Sequence, residues 1–264
     1  MRGDSGLATP DAGDAAAATD GGLDAGSDAA TADDAGVDAA ASDAGRDGGA
    51  DAGHDAAVIT PPVVDGVVGG TEWAFATSGS SSTATIWTGN SLTTLRAIAI
   101  GGTLYVAIEG QIESSNGMVV YIDGDPGGTH GVADLATLTD SIGALDNAIS
   151  AGFTVPSTFR ADVAWGTTIM SHLVTGADDT TGFRDLSVSV SNFAWLTGTQ
   201  TACTAAACEA SISTSALGPG PAPRAIQLFA RIVSPDGTLS PNQTLPMDDP
   251  TMPRVVSVVL SVHE

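Results

Sequence analysis

From Val58 onward, apolar residues recur in runs of strand length rather than at helical spacing. The runs are Thr83–Trp87, Leu95–Ile100, Leu104–Ile108, Met118–Ile122, Ala161–Trp165, Leu186–Val190, Ala225–Val233 and Val255–Val262. Turn-forming residues punctuate them at Gly101-Gly102, Asn116-Gly117, Gly166, Pro235-Asp236-Gly237 and Pro250, as expected where the backbone must reverse. Val255–Val262 is so continuously apolar that it reads as a central strand covered on both faces. Only Ala133–Ile149 carries a helical pattern, with Leu135, Leu138, Ile142, Leu145 and Ile149 at the apolar positions; an ordered loop would account for the same residues. Many strands with at most one or two short helices predict an all-β fold, an antiparallel β-sandwich over residues 58–264.

Before Val58 the pattern disappears. Residues 1–57 hold 19 Ala, 13 Asp and 11 Gly and no aromatic residue. Such a segment has almost nothing to bury against the entropy of ordering it, and its Asp charges repel one another. It reads as a disordered linker ahead of the folded domain. Arg2-Gly3-Asp4 matches an adhesion triplet, but in a tract this rich in Gly and Asp a three-residue match is expected by chance. The first twenty residues contain one large aliphatic residue, Leu7, so they show no apolar leader. The tract resembles the spacer that follows the lipid-bearing Cys of bacterial surface lipoproteins, notably myxobacterial ones. That resemblance implies an extracellular or outer-membrane location and a lipid anchor upstream of the given start. No transmembrane segment is expected, because Leu186–Cys208, an uncharged stretch as long as any in the chain, is full of Ser, Thr, Asn and Gln.

Charge narrows the chemistry. The formal net charge is -23, and all eight cationic residues are Arg. Without Lys there is no Schiff-base amine and no P-loop lysine. Nucleic acid is not an expected partner, since phosphates are bound by neutralising them. Cys203 and Cys208 are the two cysteines. With no neighbouring His to complete a zinc site, they read as a small-loop disulfide formed in an oxidising compartment; the alternative is two unpaired small apolar side chains.

Several short motifs resemble a known group. Val64-Asp65-Gly66 followed by Glu72-Trp73, then Leu104–Gly110, then Asn116–Asp123, are similar to the opening and the paired strands of domains related to carbohydrate-binding module family 9 and the DOMON-like superfamily. Phe159–Gly166 and Ser240–Pro246 look similar to segments of bacterial surface proteins that carry such domains. The resemblance implies a jelly-roll-like β-sandwich. It also implies a sugar-binding or haem-binding role: aromatic rings that clamp a glycan, or Met and His axial ligands, for which Met118 or Met170 with His130 or His172 are the residues present.

Asp123–Asp134 is the most chemical segment. Asp at its positions 1, 3 and 12 with Gly at 6 partly matches a calcium loop, giving Asp123, Asp125 and Asp134 as expected Ca2+ ligands. The competing reading is a turn whose Asp side chains cap backbone amides. Glu72, Glu109, Glu113 and Asp123 are the carboxylates from which glycoside hydrolysis would have to draw. Glu109 and Glu113 are most simply solvent-facing around a hairpin, and Glu72 a loop residue beside Trp73. Strand-borne Trp residues usually fill the space between sheets; any that is exposed becomes a sugar platform, so Trp87, Trp165 and Trp195 are the candidate ligand-binding residues. The expected function is a non-catalytic cell-surface binding module for carbohydrate or an envelope component. The alternatives are a structural surface protein with no small-molecule ligand and a glycoside-active enzyme.

Overall fold

The computed structural model describes residues 58–81, 86–113, 116–168, 180–220, 223–234, 237, 243–246, 255–256 and 259–264. The linker expected over residues 1–57 lies outside the described residues. Twelve strands are defined among the described residues: β1 Thr77–Ser80, β2 Ser91–Ile100, β3 Thr103–Gln111, β4 Gly117–Asp123, β5 Val163–Thr167, β6 Thr181–Asp185, β7 Ala194–Trp195, β8 Gln200–Cys203, β9 Ala207–Ser213, β10 Ala225–Val233, β11 Thr244–Leu245 and β12 Leu260–His263. They form an antiparallel, jelly-roll-like sandwich. One sheet runs β1-β2-β3-β9-β8, and the other β11-β10-β4-β5-β6-β7, with β12 also paired to β10.

Side-chain alternation explains the layers. Leu95, Ala97, Val106, Ile108, Ala210 and Ile212 of the first sheet meet Met118, Val120, Ile122, Trp165, Leu228 and Ile232 of the second in one buried core. In β4 and β10, the residues between these are apolar too, apart from buried Arg231. Val119, Tyr121, Phe229 and Val233 face the other way, into a second core with Leu135, Leu145, Ile149, Phe153 and Phe159. A strand apolar on both faces needs a cover on both, and the 124–162 connection between β4 and β5 supplies the outer one. Tyr121 stacks on Phe229 with ring centroids 5.0 Å apart, and its hydroxyl donates to the Ile149 carbonyl at 2.6 Å, tying the cover to the sheet.

The first sheet is covered by the segment before β1. Small Ala107 leaves room on the outer face for Trp73, which is 3% exposed and packs with Ile98. Beside it, fully buried Glu209 of β9 accepts hydrogen bonds from Trp73 Nε1 at 2.9 Å, Asp65 N at 3.0 Å and Gly66 N at 2.8 Å. One carboxylate thus holds three donors of a segment 136 to 144 residues away in sequence.

Cys203 and Cys208 face each other across the β8–β9 hairpin, joined by a disulfide and buried in the main core. On another edge, buried Gln243 behaves like a strand neighbour. Its side-chain amide accepts from Leu92 N and donates to Leu92 O, both at 2.7 Å.

Several expectations are corrected. Residues 257–258 of the Val255–Val262 run lie outside the described residues, and the described part is not a central strand: among the described residues β12 pairs with β10, over Ala225–Leu228, and alternates buried Leu260 and Val262 with exposed Ser261 and His263. The strands buried on both faces are β4 and β10, where apolar side chains occur at both parities. β3 and β4 are not a hairpin pair. β3 pairs with β2 and β9 while β4 pairs with β5 and β10, because their inner residues stack face to face across the core. Leu186–Val190 is an irregular loop with Val188 65% exposed, and Ile86 and Trp87 lie in a bend; residues 83–85 of that expected run lie outside the described residues. The 133–149 pattern divides into a 3-10 turn at Leu135–Thr137 and a helix α1 at Ala144–Ile149. Asp140 interrupts it by accepting from Ile142 N at 3.0 Å and Phe193 N at 2.6 Å, a local competition that short acidic side chains win against helix. Gly143, at φ 109, completes the break.

The docking of the first cover is testable. Trp73→Ala should cost about 3–5 kcal/mol of stability and make residues 63–73 newly sensitive to limited proteolysis. A variant that unfolds like wild type and is no more sensitive there would show that the segment is not held through Trp73.

Candidate functional site

The 124–162 connection leaves the second sheet at the end of β4 and returns at the start of β5. Ile122 pairs with Val163, and Asp162 N donates to the Ile122 carbonyl at 2.9 Å. Asp123 and Asp162, the two feet of the connection, therefore stand side by side. Asp125 follows two residues later, and the three offer carboxylate oxygens all within 4.8 Å of one another.

This corner is buried and held by backbone donors. Asp123 is 0% and Asp162 1% exposed. Asp123 Oδ1 accepts from Asp125 N at 3.0 Å and Oδ2 from Arg160 N at 2.7 Å. Asp162 Oδ2 accepts from Gly124 N at 2.7 Å, while Oδ1 lies 2.5 Å from Nδ1 of half-exposed His130. Arg160 Nε in turn donates to the His130 carbonyl at 3.0 Å. Asp125 Oδ1 is buried with no hydrogen-bond partner among the described residues. Burial is the main influence on the two inner acids: it pushes the Asp123 carboxyl up to about 6 and raises that of Asp162, against the hydrogen bonds that favour their charged forms.

The carboxylate cluster differs from the expected Ca2+ ligand set at one position. Asp134 does not join the corner. It caps the Leu135–Thr137 turn, its Oδ1 accepting from Ala136 N at 3.0 Å, and Asp162 takes its place. Three all-oxygen carboxylates at this spacing suit a hard cation, which gathers oxygens at 2.3–2.6 Å, so the donors present fit Ca2+. They do not suit a nitrogen-preferring metal, because the His130 nitrogen nearest the corner already faces Asp162.

The other candidate residues are dispersed. Trp165 is 0% exposed and stacks on Phe183, with centroids 6.0 Å apart, inside the main core; it is corrected from ligand platform to packing residue. Trp87 is half-buried against the same core. Trp195, on β7 at an open end of the second sheet, is 37% exposed, and the Arg184 guanidinium lies over its ring. Arg184 is itself fully buried and paired with Asp146 of α1 at 2.6 Å. Met118 is sealed between the sheets at 0% exposure, which removes it as a haem ligand, and Met170 and His172 lie outside the described residues. Glu72 holds the Val63 and Gly69 amides, and Glu109 pairs with Arg96 at 2.8 Å. Glu113 is exposed as expected, on the crossing between the sheets rather than on a hairpin.

Sequence reasoning missed two residues. Glu209 carries no local motif; its signal is a lone acid in the otherwise small and polar run of β9. Asp162 stands immediately before a strand-like run, and the pairing of that run with Met118–Ile122 is what would have brought it to Asp123. No family model matches the chain, and neither does any curated protein.

Burial also raises the Glu209 carboxyl. Each of these three acids thus keeps its proton to higher pH in the folded protein than in the unfolded chain. Their contribution to stability is full below the unfolded value and is lost as pH rises through the folded one. For Asp123 that window runs from 3.8 to about 6. The thermal midpoint should accordingly be higher near pH 5 than near pH 7.5 in low salt with EDTA. A midpoint that falls on this acidification would contradict the assignment.

Proposed function

We propose that residues 58–264 form a non-catalytic binding module displayed at the cell surface on the 1–57 segment, with carbohydrate as its ligand class. The observation that carries this reading is Trp195. A pyranose ring binds an indole through its apolar C–H face, which rewards a flat aromatic surface whose orientation is fixed before binding. Trp195 is accessible on an end strand, and Arg184, anchored by Asp146, fixes its orientation. The loop leading to it also exposes Val188 and Val190. The disulfide is compatible with an extracellular location, and no helix among the described residues is long and apolar enough to cross a membrane.

A glycan array probed with the full chain tests the reading. Binding should fall at least tenfold, about 1.4 kcal/mol, in Trp195→Ala and persist in Trp195→Phe. A chain that retains no glycan, or an alanine variant that binds like wild type, overturns it. The first of those results would favour a structural surface protein.

The same reading gives the acidic corner a structural Ca2+ held by Asp123, Asp125 and Asp162. Support comes from the spacing of the three carboxylates and from the uncommitted Asp125 Oδ1. Bound only by the folded state, calcium at about a hundredfold excess over its dissociation constant should stabilise by roughly 2.7 kcal/mol. The raised melting temperature should vanish in EDTA and in Asp162→Asn, yet survive in Asp134→Asn. No shift at about 10 mM calcium, above the millimolar range of weak extracellular sites, would leave the corner holding protons alone.

A further inference from the structure

The turn that follows β4 places a reactive group beside a susceptible bond. Asp125-Pro126-Gly127-Gly128 is closed by Gly128 N donating to the Asp125 carbonyl at 2.7 Å, with Gly127 at φ 80, a type II turn with Pro and Gly at its central positions. The Asp125 side chain folds back over this turn. The point where a Cβ would sit on Gly128 lies 2.6 Å from Asp125 Cγ and 2.7 Å from the Asp125 carbonyl oxygen. The Asp125 carboxyl and the Asp125 carbonyl oxygen thus both border the Gly128 α-carbon, where a side chain would press on them. Asp123 steadies the arrangement by accepting from Asp125 N at 3.0 Å, while Asp125 Oδ1 is buried without a hydrogen-bond partner among the described residues. Its lone pairs are thus uncommitted.

We propose that the Asp125–Pro126 bond is a self-cleavage site, at which the Asp125 carboxylate attacks its own carbonyl carbon and releases Pro126 as a new N-terminus. A carboxylate oxygen forms a bond to that carbon while the carbonyl π pair moves onto its oxygen, where the Gly128 N–H meets the developing charge. The carbonyl then re-forms and the carbon–nitrogen bond breaks. The proline nitrogen, part of a tertiary amide with no hydrogen of its own, takes a proton from water and leaves as a secondary amine. Residue 125 becomes a five-membered cyclic anhydride, and the hydroxide left by that water opens it. The net change is hydrolysis of one peptide bond by one water, with nothing oxidised or reduced. Holding nucleophile and carbonyl within one residue makes the attack intramolecular, the largest advantage positioning can give. The two fragments stay together in the native protein, because β4 on one side of the break is paired with β5 and β10 on the other.

The sequence contains its own control, since Asp249–Pro250 is its second Asp–Pro bond. The full chain is incubated in mildly acidic buffer with EDTA, folded or in denaturant, and fragments are quantified by mass spectrometry after denaturation. Fragments 1–125 and 126–264 should accumulate at least roughly tenfold faster than those from the second bond, and only in the folded protein. Asp125→Ser, which keeps a small polar side chain without a carboxylate, and Pro126→Ala should each abolish the product. Equal cleavage at both bonds, a preference that persists in denaturant, or an intact 125–126 bond overturns the proposal.

Discussion

The organisation of this protein follows from one constraint: the central strands of its second sheet, β4 and β10, carry large apolar side chains on both faces. Met118, Val120 and Ile122 point one way and Val119 and Tyr121 the other, and β10 repeats the pattern with Leu228 and Ile232 against Phe229 and Val233. A sheet of this kind cannot leave one side to water, because each large apolar side chain exposed would forfeit about 1.5–3 kcal/mol. The chain must therefore leave the sheet and lay a second layer on it. It does so chiefly between β4 and β5, with Leu186, Phe193 and Val256 added from later in the chain, and the position of the acidic corner is a by-product. Where an excursion starts and ends on adjacent strands, the residues at its two feet become neighbours, and here those residues are Asp123 and Asp162.

The first sheet solves the same problem with a different part of the chain. Its outer face is mixed, with Tyr105, Ala107 and Ser211 beside the Arg96–Glu109 pair, so it needs a narrower cover. The segment through Trp73 meets that need, and Glu209 fixes its register by gathering two consecutive amides and an indole N–H. Both covers are thus held by buried carboxylates that accept from backbone amides. A chain without lysine and with eight arginines over its whole length has few side-chain cations to spend on buried acids, and backbone N–H groups serve instead. Such donors fix geometry well, yet they bring no full positive charge to offset the loss of solvation. Burial therefore raises the carboxyls of Asp123, Asp162 and Glu209 together.

The sequence pattern made some of this legible and hid the rest for physical reasons. Alternation located β2, β3, β4, β5 and β10 to within a few residues, since half-buried strands write their burial directly into parity. The cysteines could be paired because no neighbouring His offers a zinc site, and the β8–β9 hairpin that sets them in register supplies the geometry. Which strands pair was hidden. Leu104–Gly110 and Asn116–Asp123 look like a hairpin in sequence, and only the apolar parity shared by Val106, Ile108, Met118 and Val120 shows that they stack across a core. Asp134 was drawn into the metal set by spacing along the chain, whereas the corner is built by spacing across the sheet, which Asp162 satisfies and Asp134 does not. The aromatic residues divided along the same line. Trp165 follows strand parity into the core, while Trp195, on a two-residue strand with no parity of its own, depends on Arg184 for its placement.

That dependence bears on how a surface site can exist on a sandwich whose sheets are both covered. With an apolar layer over one face and a docked segment over part of the other, the most accessible strand-borne tryptophan among the described residues lies on an end strand. That residue is Trp195, and its support runs inward through Arg184 to Asp146 on the outer cover. The acidic corner lies at the feet of that same cover. The element that buries Val119, Tyr121 and Phe229 thus also positions the cation under Trp195 and the carboxylates of Asp123 and Asp162. A change that loosens the cover would disturb both candidate sites together, whereas one confined to the Glu209 clamp would act on the opposite sheet.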